Sequence, residues 1–288
     1  MIISTEIGSA ASKIGDRKAI EYYAKAGFDA WDFSMSDRER FCYPENKVLG
    51  PDGAVLSSNL IRYARELKKI GLDNGIYCNQ SHAPFPSVRP EIKDTFKTVI
   101  EMTAEAGGKI CVIHPCNNWS DKDNAEMYRE FLPFAKAHGV KIATENMWNW
   151  DNEKDEALPA ACCDSKRFCS LIDEVDDEYF VACLDIGHAE MRGLNASAVG
   201  LIKALGHKRL KALHIHDNDL HYDSHQIPMS MSIDFNAVVK ALKEIGYDGE
   251  FTLEADRYLG AYSCGDIFTG MKKLAESARM LANMFESL

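Results

Sequence analysis

The sequence predicts an α/β chain folded as a single (β/α)8 barrel over residues 1–288. Three observations carry that expectation. Short β-type runs and longer amphipathic segments alternate from end to end, the pattern of parallel strands joined by helical crossovers. The alternation resolves into eight units with no linker-like shift in composition, which suits a closed barrel of this length. The GxGxxG fingerprint of a doubly wound, dinucleotide-binding sheet is absent, which argues against an open sheet.

Taken in order, Ile2–Glu6 reads as the first strand and Asp16–Ala26 as the first helix, closed at Gly27. Phe28–Ser34 is the second strand, followed by a charged loop of about 20 residues containing Pro44, Gly50, Pro51 and Gly53. Leu56, Leu60, Tyr63, Ala64 and Leu67 recur at helical spacing within Leu56–Ile70. Leu72–Asn79 is the third strand, and Pro90 starts a helix that Gly107–Gly108 ends. Lys109–His114 and Lys141–Glu145 are the fourth and fifth strands, flanking a helix over Asp123–His138. A polar and aromatic insertion follows Glu145, then a helix over Ser165–Val175. Tyr179–Asp185, Leu210–His216 and Gly249–Glu254 complete the strands, with helices over Ala196–Leu205, Asp234–Ile245 and Gly265–Glu286.

Composition narrows the function classes. The net charge is −11, from 44 acidic and 33 basic residues, which disfavours a nucleic-acid partner because that affinity rests on Lys/Arg contacts to phosphates. The nine cysteines are an odd number without paired CxxC motifs, and Cys78, Cys111 and Cys183 fall inside apolar strand runs, where cysteine is a small buried hydrophobe. No apolar run approaches the ~20 residues of a membrane span. Ile2–Ile3 is followed at once by Ser4, Thr5 and Glu6, unlike a secretory signal. The expectation is a reduced, cytoplasmic protein with no membrane partner. Apolar faces on the last two helices leave room for a homodimer.

The chemistry gathers at the strand ends. His82 lies just past the third strand, and His114, Glu145, Asp185, His216 and Glu254 end the fourth to eighth. Six consecutive units thus send a metal-type ligand to the C-terminal face, where barrel active sites are built. His188 follows Asp185 in the DIGH turn. The stretch LKALHIHDNDLHYDSH at 210–225 holds four of the nine histidines, with Asp223 and His225 in its loop half. His214 shares a strand face with His216 and suits a hydrogen-bonded core histidine as well as a ligand. His221 reads as solvated. Trp119, Trp148 and Trp150 sit in loops of the active face and could stack on a sugar ring or pack the loops together. Arg192 and Arg257 follow strands six and eight and suit a substrate phosphate or carboxylate, or loop salt bridges. Asp32, ending strand two, suits a substrate hydroxyl or a cap.

HAPF at 82–85, HP at 114–115, EN at 145–146, LDIGH at 184–188, HIHDND at 214–219 and LEA at 253–255 together resemble the xylose isomerase-like TIM barrels. That superfamily includes sugar-phosphate isomerases, ketose 3-epimerases, inosose dehydratases and zinc-dependent apurinic/apyrimidinic endonucleases. The resemblance implies one divalent metal held, as in ketose epimerases, by Glu145, Asp185, His216 and Glu254. It also implies further ligands, as in the endonucleases, at His82, His114, His188, Asp223 and His225. Three departures stand out. IPMSMS at 227–232 replaces a glycine-bearing PGxG, DNDLHYDSH lacks the arginine that follows the HxH strand in ketose 3-epimerases, and ENMWNWD replaces the endonuclease signature.

The implied chemistry is enolisation, with Glu145 and Glu254 as the catalytic pair removing and returning a proton beside a carbonyl. Inversion, aldose–ketose isomerisation or loss of a β-hydroxyl would all follow from that step. The leading expectation is a metal-dependent sugar or sugar-phosphate isomerase or epimerase with a small sugar or polyol-ketone substrate. The alternatives are a multi-metal endonuclease-like phosphodiesterase and an inosose dehydratase-type lyase. Histidine ligands point to zinc or manganese, with cobalt or magnesium as further candidates.

Overall fold

The structure, a computed structural model, describes residues 1–288. In chain order the strands are β1 (Ile3–Thr5), β2 (Ala30–Ser34), β3 (Phe41–Cys42), β4 (Lys47–Leu49), β5 (Val55–Ser57), β6 (Tyr77–His82), β7 (Ile110–Val112), β8 (Lys141–Glu145), β9 (Trp148–Asp151), β10 (Glu156–Pro159), β11 (Phe180–Asp185), β12 (Leu210–His214) and β13 (Phe251–Leu253). The helices between them are α1 (Gly8–Ile14), α2 (Asp16–Ala26), α3 (Leu60–Asp73), α4 (Pro90–Lys93), α5 (Phe96–Ala106), α6 (Asp121–Ala137), α7 (Ser165–Val175), α8 (Ile186–Ala189), α9 (Ala198–Arg209), α10 (Phe235–Glu244) and α11 (Ile267–Ser287).

Six strands form one parallel sheet in the order β12-β11-β8-β7-β6-β2, and β1 pairs with β13, also in parallel. Isolated parallel bridges at Glu6–Asp32 and Ile215–Leu253 lie between these two sheets. The chain therefore has the mixed architecture of the expected class, with a continuous six-stranded parallel sheet and a separate two-stranded one. The physical reason is length: β1 and β13 have three residues each, so each supports only a short ladder.

The helices follow from amphipathic patterning and their caps. On α3, Leu60, Tyr63, Ala64 and Leu67 are buried, and Asn59 Oδ1 accepts from the Arg62 amide at 2.8 Å. Burying a leucine such as Leu67 contributes about 1.5–3 kcal/mol, and a cap of this kind about 1 kcal/mol. At the end of α2, Gly27 takes φ +108°, a left-handed conformation that glycine adopts at little cost.

Several expected boundaries shift. The third strand does not begin at Leu72. Helix α3 runs on to Asp73, and Gly75, at φ +82°, turns the chain into β6. The loop after β2 is a small antiparallel sheet, β3-β4-β5, held to the rest by Arg40, whose guanidinium pairs with buried Asp16. Tyr63 also donates to Asp16, at 2.9 Å. The insertion after Glu145 is a β9–β10 hairpin. Helix α1, between the first strand and the first expected helix, carries Ser9 and Lys13 and had no periodicity of its own to reveal it.

Candidate metal centre and active cavity

Parallel strands ending at one level bring the acidic and imidazole groups together. Glu145 ends β8, Asp185 ends β11 and His214 ends β12. His214 Nδ1 lies 3.1 Å from Glu145 Oε1 and 3.5 Å from Glu254 Oε2. One ligand atom from each of Glu145, Asp185, His214 and Glu254 falls within a 4.8 Å cluster. Beside it, His114 Nε2 is 3.2 Å from Glu145 Oε2 and 2.8 Å from His82 Nε2.

His214, two residues before the implied ligand His216, is the imidazole that groups with Glu145, Asp185 and Glu254. His216 belongs to a second group with His188, Asp223 and His225. Its Nε2 is 3.5 Å from Asp223 Oδ1 and 3.1 Å from Asp185 Oδ1, and its ring stacks on His225 with centroids 3.9 Å apart. Residues 214 and 216 share a face by strand alternation, so the pattern alone leaves them equivalent. The register, with an irregularity in β11 at Ala182/Cys183, pairs Asp185 with His214.

The surrounding contacts prepare both groups for a cation. His82 Nδ1 donates to the Ala83 carbonyl at 2.9 Å, His188 Nδ1 to the Asn146 carbonyl at 2.9 Å and His225 Nδ1 to the Glu254 carbonyl at 2.7 Å. Each bond holds the ring by Nδ1 and turns Nε2 towards the neighbouring ligand-type groups, the usual support of a metal-binding histidine. Glu145 Oε2, Asp185 Oδ2, His214 Nε2, both His216 nitrogens and Asp223 Oδ1 are buried without a hydrogen bond. Each such group costs about 1–3 kcal/mol if left unsatisfied. Carboxylates and imidazoles gathered this way fit a divalent metal in each group.

Protonation divides the histidines: His82 is held neutral, whereas His188, His214 and His225 are raised despite their burial by the anionic groups around them. Burial raises the Glu145 carboxyl, but His214 and His114 overcome it and hold the group well below the usual range. Burial pushes Glu254 well up, with Glu145 adding to the rise against His214. Two carboxylates this close are not both comfortably charged without a cation. Burial, reinforced by His114, pushes His82 down to about 3, so it is the neutral form a metal requires. Burial would also lower His188, but Asp185 and Asp223 hold it up at about 10.

Gly187 in the DIGH turn makes room for the second group. A Cβ there would lie 1.9 Å from His216 Cε1. Gly187→Ala is therefore expected to displace His216 at a cost of about 1–3 kcal/mol and to lower metal content, both readable by thermal melting and metal analysis of the purified protein. Asp217 is not a ligand. Its carboxylate accepts from the backbone amides of Met231, Ser232 and Ile233 and so anchors the loop that departs from PGxG. Met229, in that loop, takes φ +65°, a conformation that glycine tolerates better.

A cavity of about 600 Å³ opens over the clusters, with Glu145, Glu254, His82, His114, His188, Asp223 and His225 on its wall. Trp148 and Arg257 also line it, whereas Trp119 lines adjoining hollows. Arg192 lies outside this cavity, its amide donating to the Leu220 carbonyl at 2.8 Å. Trp150 packs against His221 and Tyr222, and His221 Nε2 is 3.2 Å from Asp155. Asp32 is fully buried beneath the cluster, 3.5 Å from His214 Nε2, and accepts from Gln80 Nε2 at 2.9 Å. It lies beneath His214 as an anionic neighbour and does not reach the cavity wall.

Sequence reading overlooked Glu6, which lines the cavity beside Ser9 and Ser34. Its carboxylate accepts from the Ser9 amide at 3.0 Å and the Ser34 hydroxyl at 3.2 Å. The only sequence signal was a carboxylate closing the first strand. Burial, with Asp256 adding to it, raises Glu6 from 4.5 to about 7. The folded protein keeps this proton between those values while the unfolded chain loses it, so stability falls as pH rises through that window. Glu6→Gln is expected to flatten this slope and to raise stability above pH 7 by up to about 3 kcal/mol. Urea unfolding at pH 5 and pH 8 checks it.

Residues 20–284 match the family described as the xylose isomerase-like TIM barrel. An uncharacterized protein of Methanocaldococcus jannaschii is 25% identical over 254 residues, covering 82% of this chain and 78% of that protein. A crystal structure of a D-tagatose 3-epimerase-like protein superposes with a TM-score of 0.69 at 21% identity, covering 98% of this chain and 99% of that one. D-psicose 3-epimerase from Clostridium cellulolyticum H10, solved with D-tagatose, gives 0.69 at 18% identity, covering 99% of both chains. These likenesses establish a shared fold.

Proposed function

The chain belongs to the xylose isomerase-like TIM barrel family, and from that premise we propose that it is a divalent-metal-dependent sugar isomerase or epimerase. One observation carries the reading: Glu145 and Glu254, on separate strands, reach one imidazole at 3.1 and 3.5 Å beneath a cavity of about 600 Å³. On this reading the eight parallel strands form a single closed barrel over residues 1–288, and the isolated bridges at Glu6–Asp32 and Ile215–Leu253 are its seams.

Glu145, Asp185, His214 and Glu254 would hold the metal, which when bound supplies a Lewis acid for a carbonyl and its neighbouring hydroxyl. Zinc or manganese suits this donor set. One glutamate takes the proton next to the carbonyl and the other returns one. Return to the opposite face inverts the carbon, and return to the adjacent carbon exchanges aldose and ketose. His214 keeps both carboxylates in position, with Asp32 as its anionic neighbour beneath. The neighbouring 3-epimerases, which are named for sugar substrates, support this class.

The second group favours a rival, a multi-metal phosphodiesterase. Against it stand the net charge of −11, which disfavours a DNA partner, and ENMWNWD, which replaces the endonuclease signature. Anomalous scattering from crystals would count and identify the metals. Incorporation of solvent deuterium into a panel of free ketoses tests the isomerase, and cleavage of abasic DNA without such exchange would replace it with the phosphodiesterase.

A further inference from the structure

We propose that the hollow beside the active cavity is a second sugar subsite, so that the substrate is a ketose carrying another ring through a glycosidic bond. This rests on the isomerase reading and names its substrate class. The hollow has a volume of about 320 Å³ and shares Phe85, His114 and Met147 with the active cavity. Phe85 stacks on His114 with centroids 4.8 Å apart and stands at the junction of the two spaces.

Of the three tryptophans expected to meet substrate, Trp148 lines the first space and Trp119 the second, whereas Trp150 lines neither. Each space thus has its own indole, an amphipathic surface that suits the C–H face of a sugar ring. Phe85, Val88 and Trp119 are 50%, 53% and 40% exposed. An apolar cluster left open beside an active cavity signals a ligand.

Polar detail and charge select the ligand. Asn117 Nδ2 donates to the Trp148 carbonyl at 3.0 Å and to Asn149 Oδ1 at 3.1 Å, while Asn149 Nδ2 donates to Asn118 Oδ1 at 2.9 Å. This chain of amides ties the wall of the hollow to the β9–β10 hairpin and leaves Asn118 Nδ2 available to a hydroxyl. No Lys, Arg, Asp or Glu lines the hollow, so it suits an uncharged ring and not a phosphate or carboxylate. A small set of placed polar groups on an otherwise apolar wall is the usual composition of such a site.

The test uses the metal-loaded full chain. Deuterium incorporation beside the carbonyl is followed by NMR for fructose, tagatose and psicose, and for the ketodisaccharides turanose, maltulose and isomaltulose. The subsite predicts a kcat/KM at least tenfold higher for one of the disaccharides. In Trp119→Ala that advantage falls to the free-ketose level through KM. Free ketoses exchanging as fast as every disaccharide would overturn the subsite while leaving the isomerase standing. An undiminished disaccharide advantage in Trp119→Ala would do the same. Exchange with none of the six would remove the isomerase reading and the subsite with it.

Discussion

Glu145→Gln is expected to reduce solvent-proton exchange into substrate by roughly 10²–10⁴-fold from the lost acid–base step alone, with weaker metal binding adding to the loss. Glu145 sits between two imidazoles: Oε1 is 3.1 Å from His214 and Oε2 is 3.2 Å from His114. The amide keeps the shape but loses the charge and the proton. Glu254→Gln is expected to give a loss of the same order, because the proposed mechanism needs an acid and a base on separate strands. Both variants would be assayed by deuterium exchange at saturating metal, with metal content measured in parallel. Near-full exchange in either variant would sink the two-glutamate mechanism.

The two histidines of the HIH stretch are expected to separate sharply. His214→Ala removes the imidazole that both glutamates approach, and exchange is expected to fall by at least about 10²-fold. His216→Ala should leave the first metal in place and exchange within a few-fold of the wild type. Metal in the second group should bind more weakly, because His188, Asp223 and His225 would then hold it with three donors instead of four. Metal analysis together with the exchange assay distinguishes the two. Equal loss of exchange in both variants would mean that the two groups act as one centre.

Much of the site was legible because its residues lie at strand ends, where composition and position coincide. Glu145 and Asp185 are the last residues of β8 and β11, and Glu254 directly follows β13. His188 and Gly187 were legible as a motif, although only the packing of His216 against Gly187 gives the glycine its reason. Glu6 was not legible. A carboxylate after a three-residue strand looks like a solvated end, and its burial depends on Ser9, from a short helix without apolar periodicity, and on Ser34 at the end of β2. Trp119 and Trp148 were both placed on the active face, but their division between two spaces depends on the β9–β10 hairpin.

The order of ligand-bearing strands, the chemical class of the site and the family were determined by the sequence itself, because the period of the hydrophobic pattern and the spacing of ligand residues survive without coordinates. Which histidine meets the glutamates was decided only by tertiary structure. Alternation fixes the face of a strand residue but not its height, and height comes from pairing with neighbours far away in the chain. The irregularity at Ala182/Cys183 sets Asp185 level with His214. His216, past the end of β12, groups with His188, Asp223 and His225 and touches the first group only through Asp185, at 3.1 Å.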